Sequence, residues 1–180
     1  MFSVCSNLSD SMRQAFCKCF LGSVFIAFCS QVIIPMYPVP FTAQTLAIFI
    51  IASVLGPTLG AYSVMLFLIE GSCGLPVFAG FSSGLRVILG PTGGYLLGFV
   101  LAAYVVGRLL QKLEKRDFMS VFCVALIGDG IILAAGYFGL SRLVGASQAY
   151  MLGVLPFLIT DTLKAILFAL IDTKRSSIKC

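Results

Sequence analysis

The chain has 180 residues, 59% of them hydrophobic and 11% charged, with a mean hydropathy of +1.07. Soluble domains are about one-quarter charged, so this composition excludes an ordinary water-soluble fold and predicts an integral membrane protein. The net charge of +5 is not gathered into a basic patch interleaved with exposed aromatics, which argues against a nucleic-acid partner.

Six apolar segments are predicted: Phe16–Ile34, Thr42–Leu55, Thr58–Cys73, Thr92–Leu110, Phe118–Leu140 and Met151–Ile171. Residues 1–14 read as a cytoplasmic N-terminal segment, 15–171 as one six-helix transmembrane substrate-binding domain, and 172–180 as a cytoplasmic tail. Arg13 and Lys18 precede the first run as they would in a secretory leader. Gln31 and Pro35 follow it instead of a small-residue cleavage site, so it is kept as a span. Gly22, Ser23 and Ala27 place small residues along this span, where another helix can approach closely. Docking of a partner and packing inside the bundle both fit that stripe.

Pro35, Pro38 and Pro40 remove three amide donors and force an extended connection before Thr42 and Gln44 open the next helix. The second and third segments fall short of the roughly 20 residues a perpendicular helix needs. Gly56-Pro57 between them predicts tilted or interrupted helices, tolerated at membrane depth only when packed in protein or lining a water-filled cavity. Residues Gly74–Pro91 form the longest predicted non-helical stretch. Val77, Phe78, Phe81, Leu85, Val87, Ile88 and Leu89 within it predict a loop folded back on the bundle as a lid or wall. Gly93 and Gly94 permit close backbone approach at the start of the fourth span, with Thr92 as candidate N-cap. Gln111–Asp117 is a short charge run, read as a solvated turn.

With a cytoplasmic N-terminus, six spans put Arg13, Lys18, Arg108, Lys112, Lys115, Arg116, Lys174, Arg175 and Lys179 inside. Only Arg86 and Arg142 fall outside, which satisfies the positive-inside rule. Seven scattered Cys with no Cys-x-x-Cys pair and no His argue against a disulfide framework or a zinc site. Gly80-Phe81-Ser82-Ser83-Gly84 has the spacing of a nucleophile elbow, but the chain has no His base and the strand-turn-helix context is missing. No nucleotide-binding fingerprint or metalloprotease motif occurs. The chain therefore reads as a binder and not an enzyme, without a cofactor, drawing energy from an ion gradient or a partner.

Asp161 and Lys164 are the only charges in Met151–Ile171. A charge at the bilayer centre costs roughly 2.5–3.5 kcal/mol on insertion scales, so two opposite ones three residues apart call for a polar cavity or a mutual pair. Asp129 and Glu70 are further intramembrane acids. Lys164 and Arg86 as donors, Asp161 as acceptor, and Tyr62, Tyr95 and Phe78 as walls suit a small amphiphile bearing a carboxylate and a polar N–H group.

Four stretches in series carry a family resemblance. They are Val39-Pro40-Phe41-Thr42 with Gln44-Thr45-Leu46; Gly71 followed by Gly74–Gly80; Gly90-Pro91-Thr92-Gly93-Gly94-Tyr95 with Gly98-Phe99; and Leu155-Pro156-Phe157 with Asp161 and Lys164. Over residues 15–171 the chain is similar to the biotin-specific substrate-binding (S) components of energy-coupling-factor (ECF) transporters, the BioY family. The resemblance implies an all-α six-helix membrane bundle, with a Gly/Pro-rich outer loop capping a vitamin pocket. It also implies residence in the bacterial cytoplasmic membrane with both termini cytoplasmic. Gly22, Ser23 and Ala27 would dock on a transmembrane coupling protein driven by two ATPase subunits.

Carried over by position, the biotin site comprises Asp161, Lys164, Phe78, Ala79, Gly80, Gly93, Gly94 and Tyr95, with Gln44, Tyr62 and Arg86 as additional candidates. Lys164, with Arg86, would take the carboxylate while Asp161 and loop backbone take the ureido N–H groups; the reverse assignment also fits. Two other classes stay open on the residues alone. One is an ion-gradient-coupled transporter of a small carboxylate using Asp161, Asp129 and Glu70; the other is a membrane subunit without ligand.

Overall fold

The computed structural model describes the backbone of residues 2–178 and the side chains of residues 12–176. Lys179, assigned above to the inner side, and the last residues of the tail lie outside the described residues. The chain runs α1 (Phe2–Ser30), β1 (Ile33–Ile34), β2 (Phe41–Thr42), α2 (Gln44–Ser72), a short 3-10 turn (Ala79–Phe81), α3 (Leu85–Leu89), α4 (Gly93–Lys112), α5 (Phe118–Val144), α6 (Ala146–Gly153) and α7 (Leu155–Ile178). Five stretches among the described residues are long and apolar enough to cross a membrane: Met12–Ser30, Gln44–Ser72, Gly93–Lys112, Phe118–Val144 and Ala146–Ser176.

The second of these is bent double. Gly56, at φ +81 and ψ 179, interrupts α2 just before Pro57. Residues eight apart in a straight helix are separated by about 12 Å. A Cβ placed on Gly60 would nevertheless stand 3.0 Å from the Cα of Ala52, so the two arms of α2 lie against each other as an antiparallel hairpin. The sequence predicts six separate spans; the structure joins the second and third into one bent element, giving five long apolar stretches among the described residues.

Long-range contacts fix the direction of each pass. Cys19 Sγ donates to the Leu59 carbonyl, Ser23 Oγ to Glu70 Oε1, and Ser30 Oγ to the Val77 carbonyl, so α1 runs parallel to the second arm of α2. Gly107, near the end of α4, packs on Pro57, and Gly94, at its start, packs on Gly139 of α5. One end of the bundle therefore collects the start of α1, the end of α7, the α2 bend and the α4–α5 turn. The other collects the β1–β2 hairpin, residues 73–92 and α6.

The three prolines of residues 35–40 sit in the extended β1–β2 hairpin, where Ile33 pairs with Thr42 and Ile34 with Phe41. The stretch Gly74–Pro91 is less irregular than its composition predicts. It contains the 3-10 turn and α3, since the apolar run Leu85–Leu89 closes one helical turn between Gly84 and Gly90. Thr92 stands at the N-cap position of α4, but its hydroxyl donates to the Val87 carbonyl, tying α3 to α4 instead of capping. Asp117 does cap α5, accepting from Ser120 N, and hydrogen bonds from Ser120 hold its carboxyl below the usual aspartate range.

The core runs down the bundle axis through Phe49, Phe67, Val106, Val121 and Phe168, all essentially sealed. Outward faces of α1 and α7 carry Phe16, Phe28, Ile159 and Leu163, exposed in a way water would not tolerate over so many residues. Lipid accounts for them. The protein is a multi-pass membrane protein.

Candidate functional site

At the end that holds the β1–β2 hairpin and α6 the bundle surrounds a cavity of about 220 Å3. Six parts of the chain meet around it. The β1–β2 hairpin and the first turn of α2 supply Val39, Pro40, Thr42, Gln44 and Thr45, and the loop supplies Phe78, Ala79, Ser82, Val87 and Thr92. From α4 come Tyr95, Leu96 and Phe99, from α5 Ile132 and Leu133, and from α7 Phe157, Asp161 and Lys164. Helical spacing explains the last set: residues 157, 161 and 164 follow i, i+4, i+7 and share one face.

The apolar wall is built by ring packing over small residues. Phe78, 1% exposed, sits edge-on to Phe67 at 5.3 Å and fills the space above Gly71, where a Cβ would lie inside its ring. Tyr95 stacks on Phe157 at 5.9 Å, rests on Gly136, and donates its hydroxyl to the Gly153 carbonyl at 2.6 Å. Phe41 meets Phe157 edge-on at 4.5 Å.

The polar wall is a zwitterion. Lys164 Nζ donates to Asp161 Oδ1 at 2.8 Å and to Thr45 Oγ1 at 3.4 Å, with side-chain exposures of 17% for Lys164 and 6% for Asp161. An ion pair this dry persists only when its partners are held and its remaining hydrogen-bonding capacity is met. Asp161 uses one carboxylate oxygen here. Beside it, Gln44 Oε1 accepts from Thr42 Oγ1 at 3.0 Å, and its buried amide nitrogen has no hydrogen-bond partner among the described residues. One turn deeper on α5, on the face of Ile132 and Leu133, Asp129 is 4% exposed with no hydrogen-bond partner for either oxygen among the described residues. It lies within electrostatic reach of Asp161 and Lys164. Donors and acceptors therefore converge on one apolar-walled hollow, the arrangement of a small-molecule binding site.

Of the residues singled out from the sequence, the structure brings Gln44, Phe78, Ala79, Tyr95, Asp161 and Lys164 together on the cavity wall. Gly80 shapes the adjacent turn at φ +66. Gly93 and Gly94 stand behind the wall, where side chains would strike the Ile88 carbonyl and the backbone of α5 at Ala135 and Gly139. Arg86 is exposed on α3, off the wall, and Tyr62 is 54% exposed on the outer face of α2. On α1, Gly22 packs on Ser63, Ser23 is fully buried on Glu70, and Ala27 packs at the core margin, so the small-residue stripe faces the second arm of α2. Glu70 is thereby partnered.

Thr45, Leu96, Phe99, Ile132, Leu133 and Phe157 also line the cavity but are not among the site residues expected from the sequence, although Thr45, Phe99 and Phe157 lie in the stretches that carry the resemblance. Two signals pointed to some of them: Tyr95 and Phe99 are one turn apart, as are Phe157 and Asp161.

A helical membrane bundle closing over one amphipathic, vitamin-sized hollow defines a membrane protein that captures a small molecule. The chain belongs to the BioY family, whose model matches residues 6–178. It is 40% identical over 161 residues to the biotin transporter BioY of Thermotoga maritima, covering 89% of this chain and 94% of that one. It is 39% identical over 148 residues to the probable biotin transporter BioY of Pyrococcus horikoshii, covering 81% and 87%. Its fold matches the crystal structure of the S-component for biotin from an ECF-type ABC transporter with a TM-score of 0.79, 26% identity and 93% coverage of each chain.

Proposed function

We propose that this chain captures biotin as the S component of an ECF-type transporter and works with a transmembrane coupling protein and two ATPase subunits. The observation that carries this reading is the Asp161–Lys164 pair on the wall of an otherwise apolar cavity, in a chain of the BioY family. Adjacent donor and acceptor groups complement the C=O and N–H groups of a ureido ring, and Phe78, Tyr95, Phe99 and Phe157 suit the thioether ring and aliphatic chain. Bound ligand leaves chemically unchanged, so the chain is not an enzyme.

The end that gathers Arg13, Lys18, Lys112, Lys115, Arg116, Lys174 and Arg175 is the cytoplasmic one, by the positive-inside rule, which leaves the cavity facing outward in a bacterial cytoplasmic membrane. Direct titration of the purified, detergent-solubilised chain tests the reading. Saturable binding of biotin, with weaker binding of dethiobiotin and none of lipoate, is expected; no response to biotin would end it.

A further inference from the structure

Phe81 is the one non-glycine residue at positive φ among the described residues, at +57, and it is 70% exposed. A bulky residue in that region is strained and persists only when its surroundings hold it. No burial of its own ring supplies that restraint. Part of the restraint is the turn's own, Phe78 N donating to the Ser82 carbonyl at 3.1 Å and Ser82 Oγ to the Ala79 carbonyl at 2.7 Å, and part comes from Ser30 and Gln31 at the end of α1. Gln31 Oε1 accepts from Phe81 N at 3.0 Å, while Gln31 Nε2 donates to the Phe78 carbonyl at 3.1 Å and the Val77 carbonyl at 3.4 Å. Ser30 Oγ, fully buried, lies 2.5 Å from the Val77 carbonyl, 2.7 Å from the Ala27 carbonyl and 2.8 Å from Gln31 Nε2, so its one proton and the two of the amide are shared among these acceptors. One side-chain amide thus brackets the turn from both ends, taking its N–H and its C=O as a neighbouring strand would. The bracketed segment presents Phe78 and Ala79 to the cavity.

We propose that Gln31 is a positioning residue for ligand retention: it clamps residues 77–81 to the end of α1 and so holds closed the part of the cavity wall made by Phe78 and Ala79. The clamp does not touch ligand. It rests on the reading of the cavity as the biotin site, and it sets how long the ligand stays more than how fast it arrives, because breaking it frees the wall to swing out. It also makes α1 mechanically continuous with the cavity wall, since Gln31 and Ser30 close the last turn of that helix.

The test compares full-length wild type, Gln31→Ala, Phe81→Gly and the double variant. The readouts are dissociation of radiolabelled biotin and, without ligand, backbone hydrogen exchange across residues 76–84. Loss of two net hydrogen bonds predicts about a tenfold faster dissociation for Gln31→Ala with little change in association rate. Exchange should accelerate in residues 76–84 and stay unchanged in α4 and α5. Glycine adopts positive φ without strain, so Phe81→Gly placed on Gln31→Ala should restore part of the lost residence time, which a general loosening of the fold would not allow. Gln31→Glu keeps the acceptor for Phe81 N and loses the donors, and should fall between wild type and Gln31→Ala; it serves if Gln31→Ala fails to fold.

Dissociation of Gln31→Ala within about twofold of wild type, or exchange raised equally along the whole chain, would overturn the clamp. If wild type retains no biotin, the biotin assignment fails by itself. The exchange measurement then decides the clamp, local acceleration supporting it and unchanged exchange overturning it.

Discussion

Two acid–base pairs lie on α7, one at each end of the bundle, and they are built differently. At the cavity end, the outer one in the orientation proposed above, Asp161 and Lys164 are three residues apart on one helix, with the ammonium reaching a single neighbour, Thr45, across the cavity. At the inner end Asp172, 2% exposed, accepts from Arg116 of the α4–α5 turn at 3.3 Å, and from Ser53 of α2. The inner pair joins three elements distant in sequence and leaves Arg116 partly in solvent. The outer pair joins one element to itself, fronts a hollow, and keeps unpaired capacity in Asp161 and the neighbouring Gln44 amide. A buried carboxylate satisfied by protein from several directions is a latch. One satisfied from its own helix and facing an empty space is poised for a ligand.

Substitutions at the two ends should separate affinity from stability. The largest effect is expected for Lys164→Ala. Removing the ammonium strips a donor from the cavity and leaves Asp161 buried without its partner, so biotin affinity by calorimetry should fall by about 100-fold or more. Affinity within a few-fold of wild type would show the outer pair to be a latch like the inner one.

Next comes Asp172→Ala, which breaks the inner pair. Arg116 can rehydrate, so the cost falls below that of a fully sealed pair, about 1–3 kcal/mol, read as a lower apparent unfolding temperature in detergent with biotin affinity unchanged. A loss of affinity without a loss of stability would reverse the roles. Smallest is Arg86→Ala: with the guanidinium off the cavity wall, affinity should change by less than about twofold at moderate salt. A larger drop would mean that α3 turns inward when biotin binds.

Much of this architecture is written in local pattern. Apolar run lengths specify the passes, and Gly56-Pro57 marks the bend because proline lacks the donor and glycine accepts the backbone geometry there. The i, i+3 spacing makes the Asp161–Lys164 pair legible before any fold is known. The loop was legible as wall material, although Leu85–Leu89 forms a helical turn where only irregular backbone is predicted.

Helix rotation was not legible, and the candidate site divides along that line. In water, polarity tells which side of a helix faces inward; in lipid, both the core and the surroundings are apolar, so hydropathy carries little information about facing. Tyr62 and the Gly22–Ser23 stripe show it. An amphipathic tyrosine suggests a pocket wall and stands outside, while small residues that fit a docking face and internal packing equally well pack on Ser63 and Glu70 within this chain.

The amino-acid sequence alone settled the membrane-spanning class and the presence of one charged pair within a single apolar helix. These follow from composition and from spacing within single helices. Tertiary structure decided which groups meet: Thr45 with Lys164, Gln31 with the turn at Phe81, Asp172 with Arg116, and the exclusion of Arg86 from the wall. Each of those meetings joins residues dozens of positions apart, and only the mutual packing of the helices brings them within hydrogen-bonding distance.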